Sequence, residues 1–444
     1  MSALSLGRIG PKSRTRSGGQ PIEYNLLLTA TLCLVAFGIV MVFSASSTAA
    51  LLGQSGDSAF YLKRTLVIGA IGLVLMRLLS VRGARIARPL TGALLLISFV
   101  LLLAVMLPGI GSSANGAQRW ISAGPFQVQP SELAKLALVL YGANLLALRP
   151  QITRHIRTLV PYLAVVGVGC LLMMAEPDLG TSIVVCLSTA ALLVAAGVKM
   201  RHLLLLGAAV GLVVLLAILI EPYRMQRLTG FLDPTGDPSG AGFQAIQAKI
   251  AMGSGGFFGV GLGQSLQKAF YLPEAHTDMI AAVIGEELGF VGIGALLGLF
   301  GLFGYAGLRT AQRARDRYTK LLAAGLTSMV LIQAIVNLFA VMGLAPLTGV
   351  PLPFVSYGNS SLLVMLASTG LLLNIAKGGT AAAPARRDGR AARLRVVDGG
   401  RGARAGASTS RGRRTSSGAK SRHSRGGNSG TRRSSAGRRR RAAR

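Results

Sequence analysis

The segment Leu272-Pro273-Glu274-Ala275-His276-Thr277-Asp278 gathers two carboxylates and an imidazole into one short stretch. Such groups can take up, hold or release protons near neutral pH. Thr277 or Asp278 could simply cap a following helix, whose first turn has unpaired N–H groups and favours negative charge. That role accounts for one acid and leaves Glu274, His276 and Asp278 as a cluster. Glu286 and Glu287 follow about 12–13 Å further on if the helix continues at 1.5 Å per residue. Charges at that depth in a membrane need partners. Pairing inside a helix bundle is the first reading for them, and a proton or ion path is the second.

Two other stretches carry polar groups of interest. Asn115-Gly116-Ala117-Gln118-Arg119-Trp120 contains the sole tryptophan, which reads either as an interfacial anchor or as a platform for a sugar or lipid headgroup. Ser131-Glu132-Leu133-Ala134-Lys135 follows Pro130. Ser131 can cap a helix there, and Glu132 and Lys135 share a helix face and can pair. Near a membrane such a pair favours a site-lining role. The stretch from Gly349 to Ser361 includes Pro351, Pro353, Ser356 and Ser360. The prolines make a stiff extended turn, and the hydroxyls serve either as helix caps or as headgroup contacts.

The elements that must position these residues are membrane spans. The chain has 444 residues, 51% of them hydrophobic. Repeated apolar runs of bilayer-crossing length predict an all-α integral membrane protein. Ten spans are expected at 25–45, 64–80, 89–108, 131–148, 159–175, 179–198, 203–220, 279–308, 319–342 and 358–377. The gaps alternate in charge. Arg77, Arg82, Arg85 and Arg88 fall in one, Arg149, Arg154 and Arg157 in another, and Arg309, Arg313, Arg315, Arg317 and Lys320 in a third. The opposite side holds only Lys63, Arg64, Arg119, Lys135, Arg224, Arg227, Lys249 and Lys268. Cytoplasmic Lys/Arg excess then places both termini inside. Of the 15 acids, only Glu23, Asp316, Asp388 and Asp398 fall on that inner side. The carboxylate cluster therefore faces out, which points to a membrane enzyme working on a lipid-linked substrate at the outer surface.

A large extracytoplasmic loop, Glu221 to Thr277, separates the seventh and eighth spans. Its apolar stretches predict short interfacial or re-entrant helices rather than disorder. Its glycine runs at 253–256 and 259–263 lack the spacing of a phosphate-binding loop and read as tight turns at the membrane surface.

Outside the spans lie a basic N-terminal arm, 1–24, and an Arg/Ser/Gly-rich tail, 378–444. No cleavable signal peptide is expected, so the first apolar run reads as a permanent span. The net charge of +32 is concentrated in the tail, which holds 20 of the 47 basic residues. A disordered cytoplasmic segment drawn to anionic headgroups, or docking division partners, fits that composition. Nucleic-acid binding does not, because no aromatic residues interleave with the arginines. Cys33, Cys170 and Cys186 lie in apolar runs and read as small hydrophobes without disulfide or metal spacing.

Five segments, Ala114–Trp120, Gln129–Lys135, Glu176–Thr181, Leu272–Gly289 and Pro351–Leu362, resemble in order those of the SEDS family (shape, elongation, division and sporulation). The resemblance spans about residues 25–377. Phe37–Ser46 and Leu272–Asp278 lean toward the family's division branch rather than its elongation branch. Asn359 departs from the family's usual glycine and puts the local turn in question.

The resemblance implies a peptidoglycan glycosyltransferase that polymerises lipid II at the outer face of a bacterial cytoplasmic membrane, with inversion at the anomeric carbon. The family's essential aspartate falls on Asp278, which would take the proton of the attacking sugar hydroxyl. Arg119 and Lys135 become candidates to stabilise the leaving diphosphate, and Trp120, Glu132, Glu274, His276, Ser356 and Ser360 candidates for substrate contact. A divalent cation, Mg or Mn, is expected, with Asp278 a possible ligand, and no organic cofactor. Cross-linking is left to a class B penicillin-binding protein, for which the outer faces of the eighth and ninth spans are a natural dock. The competing reading is a lipid II flippase, which requires a water-filled path lined by Glu286, Glu287 and Lys135.

Overall fold

The computed structural model describes residues 20–378 apart from 53–55, 110, 115–116, 124–125, 239, 241 and 270. The basic arm up to residue 19, the tail beyond Gly378 and the Asn115-Gly116 pair lie outside the described residues.

Eleven helices are described: α1 Ile22–Leu52, α2 Phe60–Val105, α3 Pro130–Leu148, α4 Ile156–Ala175, α5 Leu179–Ala196, α6 Met200–Ile220, α7 Pro222–Leu232, α8 Phe243–Ser254, α9 Ile280–Arg313, α10 Arg317–Val341 and α11 Asn359–Ala376. Nine of them are long and apolar enough to cross a membrane, α7 and α8 being the exceptions. These two are the short helices expected in the large outer loop.

The tenth crossing is hidden in α2. Its 46 residues would extend about 69 Å if straight, twice the thickness of the hydrocarbon core. Yet both of its ends lie at one end of the bundle. Near its start Tyr61 packs on Tyr357, their ring centroids 4.9 Å apart, and at its finish the Val105 carbonyl abuts Gly111, close to the strand that reaches Ser360. At the other end Ala84 N donates to Asn374 Oδ1 and Arg88 Nε to Asn144 Oδ1, both at 3.2 Å. The helix thus doubles back in the basic stretch around Arg82–Arg88, next to Pro89, whose missing N–H weakens the ladder there. Its two halves match the expected second and third spans.

The first outer loop folds as a three-stranded antiparallel sheet, β1 Gly111–Ala114, β2 Ala117–Ala123 and β3 Phe126–Val128. The sequence pattern predicts only a loop there. Its short alternating pattern was masked by the longer apolar runs on either side. Ser131 does not cap α3. Gln129 occupies the cap position without a side-chain bond and Pro130 starts the helix, which suits a residue lacking an N–H. Cys33 is exposed on its span rather than buried, whereas Cys170 and Cys186 sit side by side with sulfurs 3.7 Å apart.

α9 is broken rather than merely long. Gly289 has φ 62° and ψ −157°, a backbone state close to glycine-only. The break frees backbone groups that could not stay unpaired in an apolar setting. The glycine-rich loop after α8 supplies their partners. Val260 N and Gly261 N donate to the carbonyls of Glu286 and Glu287, both at 3.0 Å, while Phe290 N and Val291 N donate to Gly256 and Phe257 at 3.0 and 3.2 Å. The approach demands glycine. A Cβ on Gly259 would meet Glu287 O at 2.1 Å, and one on Gly255 would meet Gly285 O at 1.9 Å. The glycine runs read as surface turns therefore form a staple across a broken helix.

The acids at this break are paired. Glu287 Oε1 accepts from Lys268 Nζ at 2.7 Å and from Ser44 Oγ at 2.7 Å. Glu286 accepts from Ser265 Oγ at 2.5 Å and from Leu266 N at 3.0 Å.

Two neighbouring glycines separate the staple from simple turn strain. Gly259→Ala combines a clash with positive φ and is expected to cost about 3 kcal/mol. Gly256→Ala has open space around it and a φ of +56°, so about 1 kcal/mol is expected. Thermal unfolding midpoints of the purified variants should rank wild type, Gly256→Ala, then Gly259→Ala. Equal losses would contradict the staple.

Candidate active site

Asp278 stands one residue before the cap of α9. The cap is Met279, which makes no side-chain bond, so neither Thr277 nor Asp278 caps the helix. The segment that carries Asp278 is held by backbone contacts instead. Asn337 Nδ2 donates to the Asp278 carbonyl at 2.7 Å and to the Val350 carbonyl at 2.8 Å, and Tyr357 N donates to the His276 carbonyl at 2.9 Å. α10 and the Gly349–Gly358 loop therefore fix the backbone, leaving the carboxylate for chemistry.

Around that carboxylate are Glu274, Thr277 and Arg227. Thr277 Oγ1 lies 2.8 Å from Glu274 Oε2 and 3.3 Å from Asp278 Oδ1, so one hydroxyl links the two acids. A methyl placed on Gly349 (φ +70°) would sit 3.9 Å from Asp278 Oδ2 and 3.8 Å from Arg227 Nη1. Burial raises the pKa of Asp278 to about 6, the negative charge of Glu274 adds to the shift, and the Arg227 guanidinium opposes it. That value suits a base working near neutral pH.

His276 packs among aromatic rings, with the Glu274 charge acting on it against the effect of burial. Its ring lies 4.5 Å from that of Tyr61 and 5.6 Å from that of Tyr357, and burial holds its pKa below the usual imidazole range. Ser356 Oγ accepts from Leu352 N at 2.8 Å inside the proline-rich turn. Ser360 Oγ accepts from Gln129 N at 2.9 Å and donates to the Gln127 carbonyl, tying α11 to β3. Asn359 is the first residue of α11 and has no positive φ, so asparagine is tolerated there without strain.

The cations expected to face a diphosphate are engaged in the fold. Arg119 Nε donates to the Glu176 carbonyl at 3.0 Å and Nη2 to the Pro177 carbonyl at 2.5 Å, pinning β2 to the turn between α4 and α5. Lys135 is buried, with Nζ 2.8 Å from Glu132 Oε1 and 2.5 Å from Gln333 Oε1. Trp120 is half-buried on β2, paired with Ser112. The cation that acts on Asp278, Arg227, comes from the large outer loop. Arg227 on α7 donates to the Leu347 carbonyl at 2.9 Å, and with Lys249 on α8 it lines a small cleft against Gly343 and Ala345. Sequence reading placed both on the outer face without giving them a role. The amphipathic character of α7 was the only local signal.

The turn that Arg119 grips holds an unusual acid. Asp178 caps α5 through Thr181 N at 3.1 Å and also accepts from Ser131 Oγ at 2.9 Å and Gln129 Nε2 at 3.1 Å. Ser131 thus serves Asp178 instead of its own helix. Glu176, two residues earlier, is 1% exposed, and neither carboxylate oxygen has a hydrogen-bond partner among the described residues. Burial, reinforced by the charge of Asp178, pushes its pKa up to about 8. A raised acid pKa favours folding while the group stays protonated. Its contribution is complete below the ordinary carboxylate value and is lost as pH rises through about 8. Glu176→Gln should therefore gain thermal stability over wild type progressively between pH 5 and 8, with the difference vanishing in acid. Parallel melting curves for the two proteins would contradict a protonated Glu176.

Comparison with known proteins agrees with this geometry. Residues 24–380 match the family model described as cell cycle protein, which groups FtsW, RodA and SpoVE. A probable peptidoglycan glycosyltransferase FtsW from Trichlorobacter lovleyi is 42% identical over 362 residues, covering 80% of this chain and 94% of that protein. Stage V sporulation protein E from Bacillus subtilis is 42% identical over 354 residues, covering 79% and 96%. Among solved structures, a chain from a peptidoglycan synthase complex that coordinates polymerization and crosslinking superposes with a TM-score of 0.65 at 34% identity, over 79% of this chain and 96% of that one. The rod shape determining protein RodA of Thermus thermophilus gives 0.57 at 32% identity, over 79% and 95%. With a family model matched over most of its length and relatives at 42% identity, the chain belongs to the FtsW/RodA/SpoVE family of cell cycle proteins.

Proposed function

We infer that this chain is a peptidoglycan glycosyltransferase that polymerises lipid II into glycan strands at the outer face of the cytoplasmic membrane during septal cell division. The observation that carries the reading is Asp278, an acid with a raised pKa, exempt from capping duty, at the outer mouth of α9.

In this reading Asp278 accepts the proton of the acceptor sugar's 4-hydroxyl as that oxygen attacks the anomeric carbon of the growing chain. The new glycosidic bond forms as the bond from the anomeric carbon to the lipid diphosphate breaks, and the diphosphate departs with its charge. Arg227, whose charge acts on Asp278, is the cation best placed to stabilise that charge, and Lys249 shares its cleft. A divalent ion, Mg or Mn, would neutralise it further when bound. No cluster of three ligating His, Cys, Asp or Glu side chains occurs among the described residues. The carboxylates of Asp278 and Glu274 nevertheless fit an ion of the kind that takes one or two acids and completes its shell with substrate phosphate and water.

The transport reading loses its support in the packing. Lys135 closes on Glu132 and Gln333, and Glu287 on Lys268, so the charges that would line a path are buried in local pairs. For the transpeptidase partner, α9 and α10 present exposed apolar residues such as Leu297, Tyr305, Ile335 and Phe339, a surface on which a partner's membrane helix can pack.

Purified Asp278→Asn protein, assayed with a class B penicillin-binding protein and lipid II, should make no glycan strands while melting no lower than wild type. Retained polymerisation would refute the base. The rate should rise with pH through about 6 and then level off, because the ionised form of Asp278 is required. Glu274→Gln removes a charge that raises this pKa and should shift the acid limb to lower pH. Arg227→Gln should shift it to higher pH and slow the plateau rate. Limbs unmoved by both substitutions would show that another group titrates.

A further inference from the structure

A half-open cavity lies at the end of the bundle opposite Asp278. It encloses about 640 Å³ between the start of α1, the end of α9, the start of α10 and the end of α11. Its charged lining is Glu23, Arg313, Arg315 and Lys377. Glu23 is buried and forms an ion pair with Arg313, which satisfies one cation. Arg315 has no polar partner among the described residues, and the Lys377 ammonium rests 4.4 Å from the ring centroid of Tyr24. Two cations in a concave site are thus left without counter-charge.

The depth of the cavity specifies its environment. Ile22 begins the first apolar span and is exposed, so the cavity lies at the end of that span. This is the end of the bundle that carries Arg88, Arg149, Arg313 and Lys320, the cytoplasmic side by the positive-inside rule. A volume within the range of small-ligand pockets, open at the inner leaflet surface and net positive, matches a phosphate-bearing headgroup.

We propose that this cavity is a binding site for the headgroup phosphate of an anionic phospholipid of the cytoplasmic leaflet, held by Arg315 and Lys377 beside the Glu23–Arg313 pair. Nothing in the polymerisation chemistry uses this face, so the site lies outside the active site. The lipid ties the short α9–α10 turn at Arg315 to the end of α11 at Lys377.

The test uses the full-length chain in phosphatidylcholine nanodiscs doped with phosphatidylglycerol, with retained lipid counted by native mass spectrometry. The wild type should keep phosphatidylglycerol in preference to phosphatidylcholine. Arg315→Gln/Lys377→Gln should weaken that retention by about thirtyfold, the worth of two cations at a leaflet surface. Arg438→Gln/Arg439→Gln removes the same charge from the tail and should leave it unchanged. Equal losses in the two double variants would reduce the effect to bulk charge and overturn the site. Displacement of the lipid by millimolar inorganic phosphate would overturn the headgroup assignment in favour of a soluble anion, and persistence of the lipid in that buffer would support it.

Discussion

In a hydrocarbon environment every backbone polar group needs a partner inside the protein, and this requirement organises the outer half of the molecule. α9 breaks at Gly289, and four backbone groups exposed by the break are completed by residues 256–261. The same loop carries Ser265, Leu266 and Lys268, which satisfy the two acids preceding the break. The large outer loop is thereby fastened to α9, and the short first segment of α9 begins immediately after Asp278. Positioning of the reactive carboxylate and satisfaction of the broken helix are therefore one structural solution.

A buried ion pair of this kind is weak support for net stability, since desolvation opposes the Coulombic gain. Its value here is specificity. Glu287, Lys268 and Ser44 must meet for the charges to be tolerated, which fixes α1, the loop and α9 in one register. Lys135, Glu132 and Gln333 do the same for α3 and α10, and Gln333 also donates to the Pro351 carbonyl at 2.9 Å. The proline-rich turn over the site is thus tied to a polar lock within the bundle.

Much of this was legible in the sequence. Span positions followed from hydropathy, because the bilayer imposes one length on all spans, and the placement of Arg and Lys gave the expectation of which face is outer. The two halves of α2, which the chain joins by a reversal near Arg82–Arg88, matched two expected spans. What stayed hidden depended on contacts across long sequence separations. The glycines at 255–261 looked like turns because Gly285 and Glu287 are distant in the chain. Arg119 and Lys135 looked like free cations because their acceptors, the Glu176 and Pro177 carbonyls and Gln333, lie far away in sequence. Arg227 carried no motif and gained a role only when α7 brought its charge to Asp278.

The central claim is that an ionisable Asp278 is presented outside the membrane, where a lipid-linked sugar can meet it. A single cysteine at this position, Asp278→Cys in a chain with Cys33, Cys170 and Cys186 replaced, tests it directly with a membrane-impermeant thiol reagent on intact cells. The account predicts labelling from outside without permeabilisation. Labelling that appears only once the membrane is opened would place the residue in the cytoplasm and contradict it.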